Sequence, residues 1–431
     1  MTLFWHRRDL RINDNAGLFA SLRKEKNVQA IFIFDTNILE DLKSNDQRVL
    51  YIYQHVQALK KAYQEQGSDL WVFYGTPLAV FQKLLNEHKV SAVYTNRDYE
   101  PYAKLRDAEI EELLKIQEIP FRSLKDHVIF ERNEVLKGDG TPYRVFTPYM
   151  NQWKKELTSF HLKSYPTEKY FRNLNQSEGL SNLISLKEMG FSEEQTQEFP
   201  AIKASDEIIR NYHETRDFPS VLGTTRMSLH LRFGTVSIRE LCRQGQQNEK
   251  YFNELIWRDF YQMILDYFPQ TVDQSFKPQY DNIPWENNEA HFKAWCEGKT
   301  GYPIVDAGMR ELNATGFIHN RVRMIVASFL TKHLLTDWRF GEAYFAEKLL
   351  DYEMASNVGG WQWAASSGVD AQPYFRVFNP TSQQEKFDPE NKYIKKWIPE
   401  FGTSEYPKPI VEHKEARGKA IETYKKGVVI R

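Results

Sequence analysis

Cysteine is nearly absent from the 431-residue chain. Cys242 and Cys296 are the only two, which excludes a disulfide framework and a cysteine-rich zinc site and points to a reducing cytoplasm. No other metal site is expected. No apolar run is long enough to span a membrane, and the opening Met-Thr-Leu-Phe-Trp-His-Arg-Arg lacks the apolar core of a signal peptide. There is no Gly-x-Gly-x-x-Gly and no Walker-type loop, so ordinary dinucleotide or ATP binding has little support. Internal repeats and low-complexity segments are missing too. Neither sign of charge dominates: the net charge is −1, so any contact with nucleic acid must be a local basic patch.

What is present is apolar and aromatic. Hydrophobic residues make up 41% and aromatics 14%, enough for real cores in two or three domains. Seven of ten tryptophans lie after residue 250, which marks the second half as the aromatic one.

Residues 1–128 alternate strand-like runs with helical patterns. Thr2–Trp5, Ala30–Phe34, Leu70–Phe73 and Ala92–Tyr94 read as buried strands, with amphipathic stretches at Val49–Tyr63 and Leu78–Glu87. That alternation predicts an α/β domain with a doubly wound parallel sheet, whose ligands bind beyond the strand C-termini. Two charged turns follow strands, His6–Arg11 and Asn96–Tyr102, and read as solvated loops held by local ion pairs. Residues 129–201, rich in Ser, Asn, Glu and Gln, read as a long surface connector. From 202 to 431 helical periodicity dominates and predicts an all-α domain.

Four constellations stand out in the helical half. Arg216-Asp217-Phe218-Pro219 leads to Gly223-Thr224-Thr225-Arg226-Met227-Ser228. The hydroxyls read as a helix N-cap, and the same geometry with an Arg also suits a phosphate. In Asn253–Tyr261, a turn of about 100° per residue gathers Leu255, Ile256, Phe260, Met263 and Tyr267 on one face. Glu254, Trp257, Arg258 and Tyr261 share another. Glu254 and Arg258 could be an exposed i,i+4 ion pair. A tryptophan among them suits a cavity wall for a planar, hydrogen-bonding ligand.

In Thr315–Met324, Ile318, Val322, Ile325 and Phe329 form the core stripe, with Asn320, Arg323 and Met324 opposite. Arg321 and Arg323 have no acid near them in sequence and make the best local basic patch. Finally, Asp351-Tyr-Glu353-Met-Ala-Ser-Asn357-Val-Gly359-Gly360-Trp361-Gln-Trp363 joins two carboxylates, paired glycines and two tryptophans. It reads either as a helix end capped by glycines with core tryptophans, or as backbone that admits something large and flat.

Taken together, these motifs resemble the photolyase/cryptochrome family along nearly the whole chain. Trp5–Arg11 with Asp14-Asn15, Gly223–Ser228, Glu254–Arg258, Gly316–Met324, Asp351–Trp363 and Tyr374–Pro380 carry the likeness, in order. It is greatest to class I cyclobutane pyrimidine dimer photolyases. The resemblance implies an N-terminal antenna domain and a helical domain holding one non-covalent FAD. It implies a lyase that splits dimers in damaged DNA with an electron from photoexcited reduced FAD. The expected protein is a monomer with no membrane partner. A blue-light-sensing cryptochrome is the alternative.

By motif position, Tyr212 and Thr224, Thr225, Arg226, Met227 and Ser228 would hold the FAD phosphates and ribityl chain. Arg258, Asn320, Arg323, Asp351 and Glu353 would also contact the cofactor, with Asn357 beside its central-ring nitrogen. Glu353 stands where the family usually has Asp. Glu254 and Asn320 would hydrogen-bond the thymine edge, and Trp257 and Trp363 would stack on the extruded lesion. Arg216, Arg321, Arg376 and Gln383 would grip phosphates. Met324 and Asn320 stand where (6-4) repair enzymes carry histidines. Asn357 stands where plant cryptochromes carry Asp and animal ones Cys. Trp361, Trp338 and Trp285 would form an electron wire from flavin to surface. Tyr102 and Ala103 depart from the folate-binding pattern, so an antenna could be a deazaflavin, a second flavin or absent.

Overall fold

The computed structural model describes residues 1–176, 179 and 181–429. The chain packs as two compact units. The first comprises 1–131, 157–203 and 227–244; the second comprises 132–156, 204–226 and 245–431.

The first unit is built on a five-stranded parallel sheet: β1 (Thr2–His6), β2 (Val28–Asp35), β3 (Leu70–Gly75), β4 (Ala92–Asn96) and β5 (Phe121–Leu124). The order is β3-β2-β1-β4-β5, so the chain winds outward from β1 in both directions. β1, β2 and β4 are buried along their whole lengths, which is why they read as continuous apolar runs. β5, Phe-Arg-Ser-Leu, is an edge strand with a mixed sequence and gave no such signal. Helices Ala16–Lys24, Gln47–Gln64, Pro77–Glu87 and Pro101–Ile116 connect the strands. Asn15, Asp46 and Thr76 cap the first three, each accepting a backbone N–H.

The strand order reverses between β1 and β4, where such sheets open a crevice. Here the two charged turns fill it, so they are not the solvated loops expected from their composition. Asn96 Nδ2 donates to Asp9 at 2.6 Å and to Asn15 at 2.8 Å, and its Oδ1 accepts the Gly17 N–H at 2.8 Å. Asp9 is 2% exposed. Arg7 pairs with Asp107, and Arg8 with Asp98 and Glu100. The turns are charged because their charges neutralise one another out of water, not because water solvates them.

The second unit is helical among the described residues. Its core gathers Trp295, Ile304, Val322, Phe329, Leu330, Trp338 and Trp361. The stretch 129–201, expected as one connector, is divided between the units and contains a helix, Phe146–Glu156. Its buried Phe146, Tyr149 and Trp153 repeat at i, i+3 and i+7. No helix among the described residues is long and apolar enough to cross a membrane.

Candidate active site

The longest helix of the second unit, Glu249–Tyr267, starts at Asn248, whose side chain accepts from the N–H groups of Lys250 and Tyr251. It carries Glu254, Trp257, Arg258 and Tyr261. Glu254 and Arg258 are not an exposed pair, since Arg258 is buried and Glu254 half-buried. Glu254 turns to Arg216, and the two are hydrogen-bonded. Burial raises the Glu254 pKa, and the Arg216 guanidinium partly offsets this. Arg258 is buried and donates to Glu353 Oε1 at 3.2 Å. Ser356 Oγ donates to the other oxygen, Oε2, at 3.2 Å. Trp257 is half-buried, and Phe146 lies flat against it at 3.6 Å between ring centroids with 6° between planes.

The helix Asn320–Ser328 begins after Gly316, whose φ of 65° ends the preceding helix. His319 caps it by accepting the Arg321 N–H at 3.2 Å. That bond fixes the tautomer: Nδ1 accepts, so Nε2 carries the hydrogen, and Nε2 is buried without a hydrogen-bond partner. Burial lowers the His319 pKa to about 4. Asn320 is exposed and Met324 half-buried.

The acid-free patch at Arg321 and Arg323 is not there. Arg321 donates to Asp217 at 2.8 Å, and Arg323 donates to both oxygens of Asp351 at 3.0 and 3.1 Å. Both acids are far away in sequence, so a local reading could not see them.

Glu353 opens the helix Met354–Ala364, which holds Asn357, Trp361 and Trp363. Gly359 and Gly360 lie inside this helix with ordinary φ, so they neither cap its end nor adopt left-handed backbone. A Cβ on Gly359 would stand 2.3 Å from Tyr261 Cδ1, whereas Gly360 faces open space. Asn357 donates through Nδ2 to the Glu342 carbonyl at 3.1 Å and its Oε1 at 2.9 Å. Gln362, between the tryptophans, is saturated: Nε2 donates to Thr271 O and Gln274 O at 2.8 and 2.9 Å, and Oε1 accepts the Phe276 N–H at 2.8 Å.

Trp361 and Trp338 are 2% and 1% exposed; Trp285 is half-buried at the edge of the same core. Trp361 rests on Gly341, where a Cβ would meet its ring at 2.1 Å. Trp295, which no motif singled out, lies 6.0 Å from Trp361 between ring centroids.

The Gly223–Ser228 loop does not cap a helix through its hydroxyls. Met227 occupies the cap position of the short Ser228–Phe233 helix and makes no side-chain cap. Thr225 Oγ1 instead meets Tyr251 OH at 3.2 Å. Arg226, at φ 52°, lies over the Phe317 ring at 4.1 Å. Thr224, Thr225 and Arg226 belong to the second unit, Met227 and Ser228 to the first. Tyr212 meets Tyr251 edge-on at 5.2 Å and lies under Arg216 at 5.3 Å. Trp363 and Gln383 are half-buried and Arg376 is exposed.

Residues 2–169 match the family model for DNA photolyase, and residues 251–404 match that for the FAD binding domain of DNA photolyase. The deoxyribodipyrimidine photo-lyase of Synechococcus is 38% identical, over 95% of this chain and 93% of its own length. Among solved structures, the archaeal photolyase of Sulfolobus tokodaii, described with two FAD molecules, superposes with a TM-score of 0.83 at 36% identity, covering 99% of each chain. A class III photolyase of Agrobacterium tumefaciens superposes with a TM-score of 0.85 at 30% identity, covering 99% of this chain and 97% of that one. The chain belongs to the DNA photolyase family and carries that family's FAD-binding domain.

Proposed function

We propose that this protein repairs cyclobutane pyrimidine dimers in DNA by light-driven electron transfer from reduced FAD, as a cytoplasmic monomer. The sheet-bearing region 1–128 is the antenna domain, and the helical region 202–431 binds FAD and DNA. The observation that carries the reading is the Arg258–Glu353 contact between two packed helices of the second unit, one carrying Glu254 and Trp257 and the other Asn357.

The donor set fits FAD. The Thr224 and Thr225 hydroxyls, Ser228 and the Arg226 guanidinium suit phosphate and ribityl oxygens. Tyr212 meets Tyr251, whose hydroxyl meets that of Thr225. The Arg323–Asp351 pair and the Asn357 amide offer donors and acceptors to the polar edges of an isoalloxazine. The unpartnered Nε2–H of His319 sits at the start of the helix that carries Asn320 and Arg323. Glu353 suits its place through Arg258: the longer side chain meets that guanidinium at 3.2 Å while remaining buried.

When bound, reduced FAD would supply light-driven one-electron chemistry. The chain's residues receive and hold the lesion. Trp257 and Trp363 stack on the extruded dimer, which unstacks more readily than a normal pair. Glu254, Asn320 and Met324 line its polar edge. Arg216, Arg321, Arg376 and Gln383 grip phosphates. For Arg216 and Arg321 this means exchanging Glu254 and Asp217 for DNA. Trp361, Trp338 and Trp285, in or against one core, would serve as the electron wire towards the flavin site.

The test is chromophore release together with DNA binding. Purified protein should yield one FAD per chain and bind a dimer-bearing oligonucleotide more tightly than the undamaged one. Equal affinity for the two would refute lesion recognition and leave a light sensor as the better reading.

A further inference from the structure

The helix Phe146–Glu156 lies within the DNA photolyase match but outside the six motifs singled out in the sequence. Yet each of its three buried residues lands on the helix Glu249–Tyr267. Trp153 donates its indole N–H to Asp259 at 3.0 Å. Tyr149 meets Phe260 at 5.1 Å, and Phe146 lies parallel to Trp257 at 3.6 Å. The backbone N–H of Phe146 donates to the Asp370 carboxylate at 3.1 Å, which holds the start of the helix. Phe146 is 7% exposed and Trp257 only half-buried. The phenyl ring therefore backs one face of the indole, which also meets Phe260 at 5.6 Å and Tyr261 at 5.4 Å and still stays partly exposed.

We propose that Phe146 is a positioning residue for lesion recognition. It fixes the plane of the Trp257 ring before DNA arrives, so that an extruded pyrimidine dimer meets an ordered platform. This rests on the reading of Trp257 as a lesion-stacking residue. An unbacked tryptophan on a half-open surface must lose rotamer freedom when a base stacks on it, and that loss subtracts from affinity. A flat aromatic partner, parallel to the indole within 6°, removes that freedom in advance. The constraint matters most for damaged DNA, because undamaged DNA presents no extruded base. Phe146 should therefore govern discrimination more than overall DNA affinity.

The experiment measures affinity for dimer-bearing and undamaged oligonucleotides of the same sequence in the FAD-loaded protein. Phe146→Leu should lower the ratio of the two affinities roughly 2- to 12-fold, the cost of immobilising one side chain on binding. FAD content should be unchanged. Phe146→Tyr, which keeps the flat ring, should keep the ratio. In a Trp257→Ala background, Phe146→Leu should cause no further loss, which a general packing role would not predict. Where Leu lowers the thermal midpoint, Phe146→Met fills similar volume without a flat face and takes its place. An unchanged ratio in Phe146→Leu, with a lowered one in Trp257→Ala, overturns the positioning role. A raised ratio also overturns it, because the ring would then be blocking the platform. An unchanged ratio in Trp257→Ala instead refutes the lesion-stacking reading beneath it.

Discussion

Gly359 and Gly360 are neighbours in one helix, and the structure assigns them opposite responses to the same substitution. Replacing glycine by alanine inside a helix gains about 1 kcal/mol from backbone entropy alone. At Gly360 nothing lies within 4 Å of the added Cβ, so Gly360→Ala should keep that gain. At Gly359 the new carbon would stand 2.3 and 2.4 Å from two atoms of the Tyr261 ring. Ordinary carbon contacts begin near ~3.5 Å, so ring and helix must part by roughly 1 Å. The ring cannot swing aside easily, because Tyr261 also lies against Trp257 at 5.4 Å and Phe260 at 5.9 Å. Overpacking of this kind costs roughly 1–3 kcal/mol. The propensity gain is common to both variants, so the difference between them isolates the overpacking term. Urea denaturation followed by circular dichroism, at equal FAD loading, should place Gly359→Ala below Gly360→Ala by roughly 1–3 kcal/mol. Equal stabilities would refute the close packing of the two helices that carry the site.

Three further outcomes are expected. Glu254→Ala should lower repair per absorbed photon more than it lowers FAD content, because it removes a carboxyl from a partly dry site and strands Arg216; unchanged yield per photon removes Glu254 from the mechanism. Trp361→Phe should block photoreduction of oxidised flavin while chemically reduced protein still repairs dimers, at a stability loss of roughly 1–3 kcal/mol; transient absorption showing a normal tryptophan-radical signal would defeat the wire. Lys332 is fully buried, donates to Ser366 Oγ and Arg376 O at 3.0 Å each, and has its pKa lowered by burial to about 7. The unfolded lysine holds its proton to about pH 10, so between pH 7 and 10 the unfolded state binds more protons and stability rises with pH. Lys332→Met should lack that rise in thermal midpoint, and a matching slope in both proteins would contradict it.

Much of this architecture is readable from the sequence because burial on both faces leaves a plain mark. Ala30–Phe34 and Ala92–Tyr94 are apolar throughout, and they form central strands. β5 escaped because an edge strand tolerates Arg122 and Ser123. The Phe146 helix escaped for a different reason: its polar surroundings mask a three-residue stripe that periodicity alone marks. The tertiary partners of charged residues are the hardest to read. Arg321 finds Asp217 and Arg323 finds Asp351 across gaps of 104 and 28 residues. Gly359 is likewise explained by a ring on another helix.

The central claim is that absorbed light splits the dimer. The most direct measurement counts cyclobutane dimers in DNA incubated with the fully reduced protein, under blue light and in darkness, beside DNA carrying (6-4) photoproducts. The account predicts that dimers disappear in the light only and that (6-4) photoproducts persist. Dimers that survive illumination of reduced, FAD-loaded, DNA-bound protein would contradict it.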